Sequence, residues 1–342
     1  MHSADIIIVG GGPAGASCAT ALVAAGREVL VLDAARFPRD KLCAGWVTEK
    51  VLRDLDIGPE TYGAGILPMR IRTHLPRLPV PVPGLPTPGR NYAIRRYEFD
   101  AWHLQRSGAP VVTHRVRDIA RTADGFEIDG AYRCRLLIGA GGTMCPVRRE
   151  VFDAPRPRGR QIVTLEHEFQ VPGRGDRCHL YFFRGGIAGY AWFVPKAGDW
   201  VNIGIGAKAK WFKRRDTTIH AHFADFLQSL VRTRLLPADA VADLKVRGHP
   251  YYLHTGGPLP VRAAADAWLI GDALGLATVD LGEGIGPAIE SGQRVAREIL
   301  GGAAFDSGST TRFSTSGLTQ RLAGRFLGGR AAHAPVAEPV QP

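Results

Sequence analysis

Gly10-x-Gly12-x-x-Gly15, set between Asp5-Ile6-Ile7-Ile8-Val9 and the small-residue run 14–25, constrains this chain more than any other feature. A short apolar run ending in glycines reads as a buried strand. A run of small residues closed by Gly26 reads as a glycine-capped helix. Val29 to Leu32 repeats the apolar run and closes at Asp33, completing a βαβ unit. In that setting Gly10 permits a tight turn, Gly12 lets backbone approach a pyrophosphate, and Gly15 lets helix pack on strand. A diphosphate would sit on the helix N-terminus, where free N–H groups and the dipole favour an anion. Asp33 would hydrogen-bond ribose hydroxyls. Residues 6–26 carry no charge and are long enough for a membrane span, but Gly10, Gly11, Gly12, Pro13 and Gly15 would break an apolar helix. No basic n-region precedes the stretch, so it does not read as a signal peptide.

The fingerprint alone does not separate a nicotinamide from a flavin dinucleotide. Leu269-Ile270-Gly271-Asp272-Ala273 reads as a strand running into a turn with an acid, and Gly282-Glu283-Gly284-Ile285 opens a long helix to Leu300. This pairing resembles the flavoprotein arrangement. There the acid binds the ribityl or pyrophosphate side, and the second helix N-terminus faces the flavin pyrimidine. Glu283 alternatively reads as a cap on the helix it precedes. One dinucleotide fingerprint is present, so NADPH or NADH would bind transiently, or another donor would reduce the flavin.

With 342 residues the length prior is about two domains. A 45% hydrophobic and 22% charged composition is that of a globular chain. Five scattered cysteines form neither a disulfide framework nor a zinc spacing, and no metal ligand set is read. The reading is a reduced, cytoplasmic protein. The net charge of +11 suits anionic partners. No long basic block or interleaved aromatic stripe supports nucleic acid. Helices are expected near 48–55, 99–105, 217–230 and 238–245. Short strands are expected over 111–139 with a turn at Asp124-Gly125. Residues 160–210 alternate and read as an antiparallel sheet, with strands at 161–170, 179–183, 190–195 and 200–206. Six prolines in Pro76–Pro88 exclude a central strand. The tail from Ala331 reads as disordered.

Four further segments carry a family resemblance, spanning roughly residues 4–300. Pro38-Arg39-Asp40-Lys41-Leu42-Cys43-Ala44-Gly45 resembles a P-x-x-K-x-C-G segment, with Ala44 for glycine. Arg96-Tyr97-Glu98-Phe99-Asp100 resembles an R-x-x-F-D helix start. Leu137-Ile138-Gly139-Ala140-Gly141-Gly142, followed by Pro146-Val147-Arg148, resembles a G-A-D-G strand-turn with Gly141 for aspartate. Tyr190-Ala191-Trp192-Phe193-Val194-Pro195-Lys196 resembles Y-x-W-x-F-P-K, with Val194 for phenylalanine. Together these resemble the FAD-dependent oxidoreductases of the geranylgeranyl reductase family, related to hydroxylases of the para-hydroxybenzoate hydroxylase fold.

The resemblance implies an α/β fold, a Rossmann-like FAD-binding domain with an α+β substrate domain on an antiparallel sheet. The FAD-binding domain would take 1–75, 91–155 and 256–300. The substrate domain would take 76–90 and 156–255, leaving 301–342 as a C-terminal helix and tail. Gly10, Gly12, Pro13, Ala14, Gly15, Asp33, Ala34, Arg36 and Arg96 would hold the nucleotide half of FAD. Val116 would offer backbone to the adenine. Lys41, Cys43 and Ala44 would lie on a loop near the flavin, with Gly141 in the facing turn. Asp272, Gly282, Gly284 and Ile285 would hold ribityl and isoalloxazine. Tyr190 and Trp192 would line the substrate cavity, and with Cys43 they are the catalytic candidates. Cys43 reads more readily as a small buried residue and Lys41 as a solvated loop charge, while Tyr190 and Trp192 equally read as sheet core.

The implied reaction is reduction of carbon–carbon double bonds in an isoprenoid or prenyl-lipid substrate by hydride from reduced flavin. Contact with an anionic membrane and an electron-donor protein are further expectations. Two alternatives stand beside it. One is a flavin monooxygenase or halogenase, since 190–195 also approximates W-x-W-x-I-P. The other is a flavin-binding redox protein without its own turnover.

Overall fold

The computed structural model describes residues 1–58, 60–75, 90–154, 156–157, 160–242, 244–254, 256, 259–263 and 266–314. In chain order the strands are β1 (His2–Val9), β2 (Val29–Asp33), β3 (Trp46–Thr48), β4 (Leu67–Pro68), β5 (Arg70–His74), β6 (Asn91–Ala93), β7 (Val111–Thr113), β8 (Ile119–Thr122), β9 (Gly125–Ile128), β10 (Tyr132–Gly139), β11 (Arg160–Gln170), β12 (Arg177–Phe182), β13 (Gly189–Lys196), β14 (Trp200–Lys208), β15 (Arg247–Leu253), β16 (Arg262–Ala263) and β17 (Ala267–Leu269). The helices are α1 (Pro13–Ala24), α2 (Glu49–Leu55), α3 (Arg96–Arg106), α4 (Pro146–Glu150), α5 (Ala209–Phe212), α6 (Ile219–Arg232) and α7 (Ile285–Ile299).

Ile6, Ile7 and Ile8 are fully buried because β1 is covered on both faces, as a continuous apolar run requires. β1 pairs in parallel with β2 and β10, and the sheet runs β16-β17-β10-β1-β2-β7, with a β8–β9 hairpin added beside β10. Pro13 at the first turn of α1 loses no needed donor. Small residues let α1 lie close to its neighbours: a Cβ at Gly292 of α7 would stand 2.3 Å from the Ala14 carbonyl oxygen.

The second sheet is β15-β11-β14-β13-β12-β5, antiparallel except for β12–β5. Its alternation sorts two faces. Leu165, Ala191, Phe193, Ile203 and Ile205 pack with Phe223, Phe226 and Leu230 of α6. Leu180, Trp192 and Val194 face the other way, with Trp46, Ala93 and Leu281. A small sheet, β3-β6-β4, completes the strands.

The expected antiparallel sheet over 160–210 is present. β5, which the sequence reading put with the FAD-binding part, hydrogen-bonds into this sheet beside β12. The helix expected over 238–245 is a short 3-10 turn, Asp239–Val241. Val241, Leu244 and Val246 instead pack as an irregular segment against the α6 cluster, so apolar contact is met without a helix. Residues 76–89 and 315–342, including the proline-rich segment and the tail, lie outside the described residues. The described part of 301–314 holds only a 3-10 turn at Ser307–Ser309. Among the described residues no helix is long and apolar enough to cross a membrane.

Candidate functional site

One cleft of about 410 Å³ runs from the β1–α1 turn to the six-stranded sheet. At its first end, Gly10 has φ +114°, and a Cβ there would meet the Ala140 carbonyl oxygen at 2.4 Å. Only glycine fits that approach. Gly15 lies behind the cleft, where a Cβ would stand 1.9 Å from the Gly10 carbonyl oxygen, so its role is helix-on-strand packing. Gly12, Pro13 and Ala14 line the cleft at the N-terminus of α1, which no side chain caps. Asp33 also lines it, and its carboxylate accepts from the Gly11 and Ala35 N–H groups at 2.7 and 2.9 Å.

Arg39 and Arg96 add positive charge to this end. Arg96 is buried and forks onto Asp100, with Nε–Oδ1 2.6 Å and Nη2–Oδ2 2.7 Å. Arg39 reaches the same carboxylate at 3.2 Å. Burial works against the Arg96 charge, but Asp100 and Cys43 outweigh it and hold the guanidinium protonated.

At the other end the cleft meets the sheet. Tyr190, Trp192 and Val194 of β13 line it, alternating with residues that face α6. The Trp192 indole lies across β14, because a Cβ at Gly204 would come within 2.2 Å of its Cζ2. Its Nε1–H donates to Asn202 Oδ1 at 2.7 Å. Tyr190 Oη donates to the Leu281 carbonyl. Burial pushes the Tyr190 phenol well above its ordinary value, so it stays neutral.

Beside these lie Thr164 and Glu166 of β11 and His249 and Tyr251 of β15, none of them singled out from the sequence. Glu166 is 1% exposed, and burial, partly offset by Lys196, Asn202 and Lys41, raises it to about 7. Burial, with Lys41 and Arg96 adding to it, lowers His249 to about 3. A signal for β11 was available: polar Thr164, Glu166 and Glu168 recur at every second position, with apolar Ile162, Val163, Leu165 and Phe169 among them.

Two segments join the ends. Lys41, Cys43 and Ala44 line the cleft on the loop before β3. Gly45 N–H donates to Cys43 Sγ at 3.3 Å, and Lys196 Nζ donates to the Cys43 carbonyl at 3.4 Å. Asp272, Gly282, Gly284 and Ile285 line it at the start of α7. Glu283 is a helix cap, accepting from Gly286 N–H at 2.6 Å; burial raises its carboxyl to about 7. Gly141 lines the facing turn. Ala34 and Arg36 are exposed and do not line the cleft. Val116 also stands apart from it, its side chain buried in the core of the parallel sheet.

FAD fits this cleft on the donors and shape present. One end has a glycine cradle, a helix N-terminus, Arg39 and Arg96, which suit a diphosphate. The other end is aromatic and apolar, which suits a flat ring and an apolar substrate. A family model described as an NAD(P)-binding Rossmann-like domain matches residues 8–67. Menaquinone reductase of Mycolicibacterium smegmatis is 27% identical over 346 residues, covering 92% of this chain and 79% of the relative. Digeranylgeranylglycerophospholipid reductase 1 of Methanothermobacter thermautotrophicus is 25% identical over 335 residues, covering 90% and 79%. The crystal structure of a geranylgeranyl bacteriochlorophyll reductase-like protein from Thermoplasma acidophilum superposes with TM-score 0.70 at 18% identity, covering 96% of this chain and 85% of that one. A flavin-dependent brominase, Bmp2, superposes with TM-score 0.61 at 17% identity, covering 90% and 81%, a likeness of fold. In fold and in sequence along its length, the chain resembles FAD-dependent oxidoreductases of the geranylgeranyl reductase type.

Proposed function

We propose that this protein reduces carbon–carbon double bonds in the polyprenyl chain of a lipid. The observation that carries the reading is the continuity of the cleft, from the glycine cradle at Gly10–Ala14 to the aromatic wall of Tyr190 and Trp192. Bound FAD would supply hydride chemistry at its ring. The chain's own residues bind, orient and exclude water. The α1 N-terminus, Arg39 and Arg96 take the diphosphate. Asp272, Gly282, Gly284 and Ile285 position the ribityl and ring at the start of α7, whose dipole favours negative charge there. Tyr190, Trp192, Leu180 and Leu281 form an apolar wall on which a prenyl chain lies dry. Cys43 lines the loop between the two ends and would lie near the ring and the substrate.

The relatives' names supply the substrate class, since menaquinone and digeranylgeranylglycerophospholipid share a polyprenyl chain. Such a substrate resides in a membrane, and the α5 region suits an anionic surface. Lys210, Lys213, Arg214 and Arg215 are exposed there around the half-buried Trp211 and Phe212. Flotation with anionic liposomes at low salt tests this, and protein left wholly at the bottom refutes it.

The main test uses the FAD-loaded protein. One sample is reduced with dithionite under argon and given polyprenyl diphosphates, ether lipids and prenylated quinones. A second receives NADPH in air with halide. Product masses gaining hydrogen pairs without oxygen establish the reductase. Gain of oxygen or halogen only in air overturns it in favour of a monooxygenase or halogenase. No product in either leaves a flavin protein without turnover on these lipids.

A further inference from the structure

We infer that Glu166 is the group that delivers the proton which, with a hydride, saturates the substrate double bond; this rests on the reductase reading above. Glu166 faces the cleft from the middle of β11, opposite Gly204 of β14, which in turn pairs with Trp192 of β13. It is 1% exposed, and its Oε2 is buried with no hydrogen-bond partner among the described residues. A buried carboxylate oxygen without a donor is costly, whereas a neutral carboxyl can present its O–H to the cavity. Among the described residues the other carboxyls of the cleft differ: Glu283 is engaged as a helix cap, Asp33 accepts from two backbone N–H groups, and Asp272 is only half-buried.

The surroundings hold both states of the acid. Trp192 donates to Asn202 Oδ1, which turns the Asn202 amide N–H toward Glu166. Lys196 from β13 and Lys41 from the loop before β3 favour the carboxylate; Glu168 on its own strand and burial oppose it. The carboxyl is thereby raised to about 7, where a group is equally ready to give and regain a proton. His249 from β15 stands 3.6 Å from Glu166 Oε1 and 3.2 Å from Thr164 Oγ1. Its side chain is 25% exposed, and burial with Lys41 and Arg96 keeps it neutral, so it links the acid to water. Tyr251, on the same strand, is held neutral by burial.

The step balances. The Glu166 O–H bond breaks and a C–H bond forms at one alkene carbon, while the other carbon takes the hydride of the reduced cofactor. The π bond is lost, the substrate gains two electrons and the cofactor gives up two. The carboxylate then regains a proton from water past His249.

The test uses FAD-loaded wild type, Glu166→Gln and Glu166→Asp, with retained flavin as the check on folding. Difference infrared spectra across about pH 5 to 9 read the acid directly. Wild type should show a protonated-carboxyl band that fades near neutrality, and Glu166→Gln should lose it; Glu283→Gln identifies the band of the other raised carboxyl. In single turnover of the dithionite-reduced protein, Glu166→Gln should slow prenyl reduction by about 100-fold or more. Its rate should also lose the fall above neutral pH that wild type shows, with partial rescue in Glu166→Asp. Reduction by Glu166→Gln within a few fold of wild type, or a wild-type spectrum lacking the band, overturns the assignment and leaves the reductase reading intact. Wild type that saturates no prenyl double bond overturns the reading itself, and the proton-delivery role with it.

Discussion

At the scale of single residues, the aromatic wall depends on what is missing beside it. Trp192 lies across β14 because Gly204 and Gly206 have no side chains, the nearest indole atoms being 2.2 and 3.4 Å from where a Cβ would stand. Gly204→Ala should expel the indole and free Asn202 from its hydrogen bond. Thermal melts should show a loss of about 1–3 kcal/mol, the usual cost of overpacking, and prenyl substrate should bind more weakly. An alanine variant with unchanged stability and substrate binding would show that the indole is free to lie elsewhere. Arg96 is a second such case. Its fork onto Asp100, whose side chain is 0% exposed, is a buried pair, and removing one partner of such a pair costs about 3–5 kcal/mol. Arg39 at 3.2 Å remains to compensate, so Arg96→Gln should fall at or below that range in urea unfolding and should lose flavin. Tyr190, Trp192 and Arg96 were legible because each sits in a short motif. Glu166, Asn202 and His249 were not, because their proximity is made by strand register across β11, β14 and β15, far apart in the chain.

At the scale of elements, the β1–α1 turn was readable because its constraints are local: strand, turn and helix follow one another within residues 5–25. Its glycines nevertheless do different work, and the structure separates them. Gly12 has φ −71°, and nothing lies nearer a Cβ there than Arg39 Nη2 at 3.6 Å. Gly12→Ala should therefore fold with a loss below about 1 kcal/mol, the difference between glycine and alanine at a helix cap. The methyl would project into the cleft where a diphosphate is to lie, so flavin affinity should fall by at least tenfold. Gly15→Ala places a methyl 1.9 Å from a backbone oxygen and should destabilise the cofactor-free protein itself. Urea unfolding and flavin titration of both variants decide this. If Gly12→Ala retained flavin normally, the diphosphate would lie elsewhere. The segment 238–245 shows the opposite limit of legibility. Its apolar spacing fits a helix, yet Val241, Leu244 and Val246 reach the α6 cluster from irregular backbone, and only tertiary packing decides between the two.

At the scale of the whole molecule, the buried ionisable groups divide into two sets with opposite effects on stability. Burial lowers His103 and His179 to about 4 and His249 to about 3, below the ordinary 6.5. The unfolded chain then binds more protons than the native one between about pH 4 and 6.5, so stability rises with pH across that window. Burial raises Glu166 and Glu283 from 4.5 to about 7. For these the native state binds more protons between about pH 4.5 and 7, so stability falls as pH rises through that window and levels above it. From about pH 4.5 to 6.5 the two sets oppose each other; above 6.5 the histidines have finished and only the carboxyls act. The cofactor-free protein should therefore melt highest near about pH 6 and lose stability toward about pH 8. Glu166→Gln with Glu283→Gln should abolish the alkaline decline and leave the acid limb in place. Persistence of that decline in the double variant would mean that both carboxyls are already ionised in the folded protein. Glu166 would then reach neutral pH without the proton it is assigned to deliver.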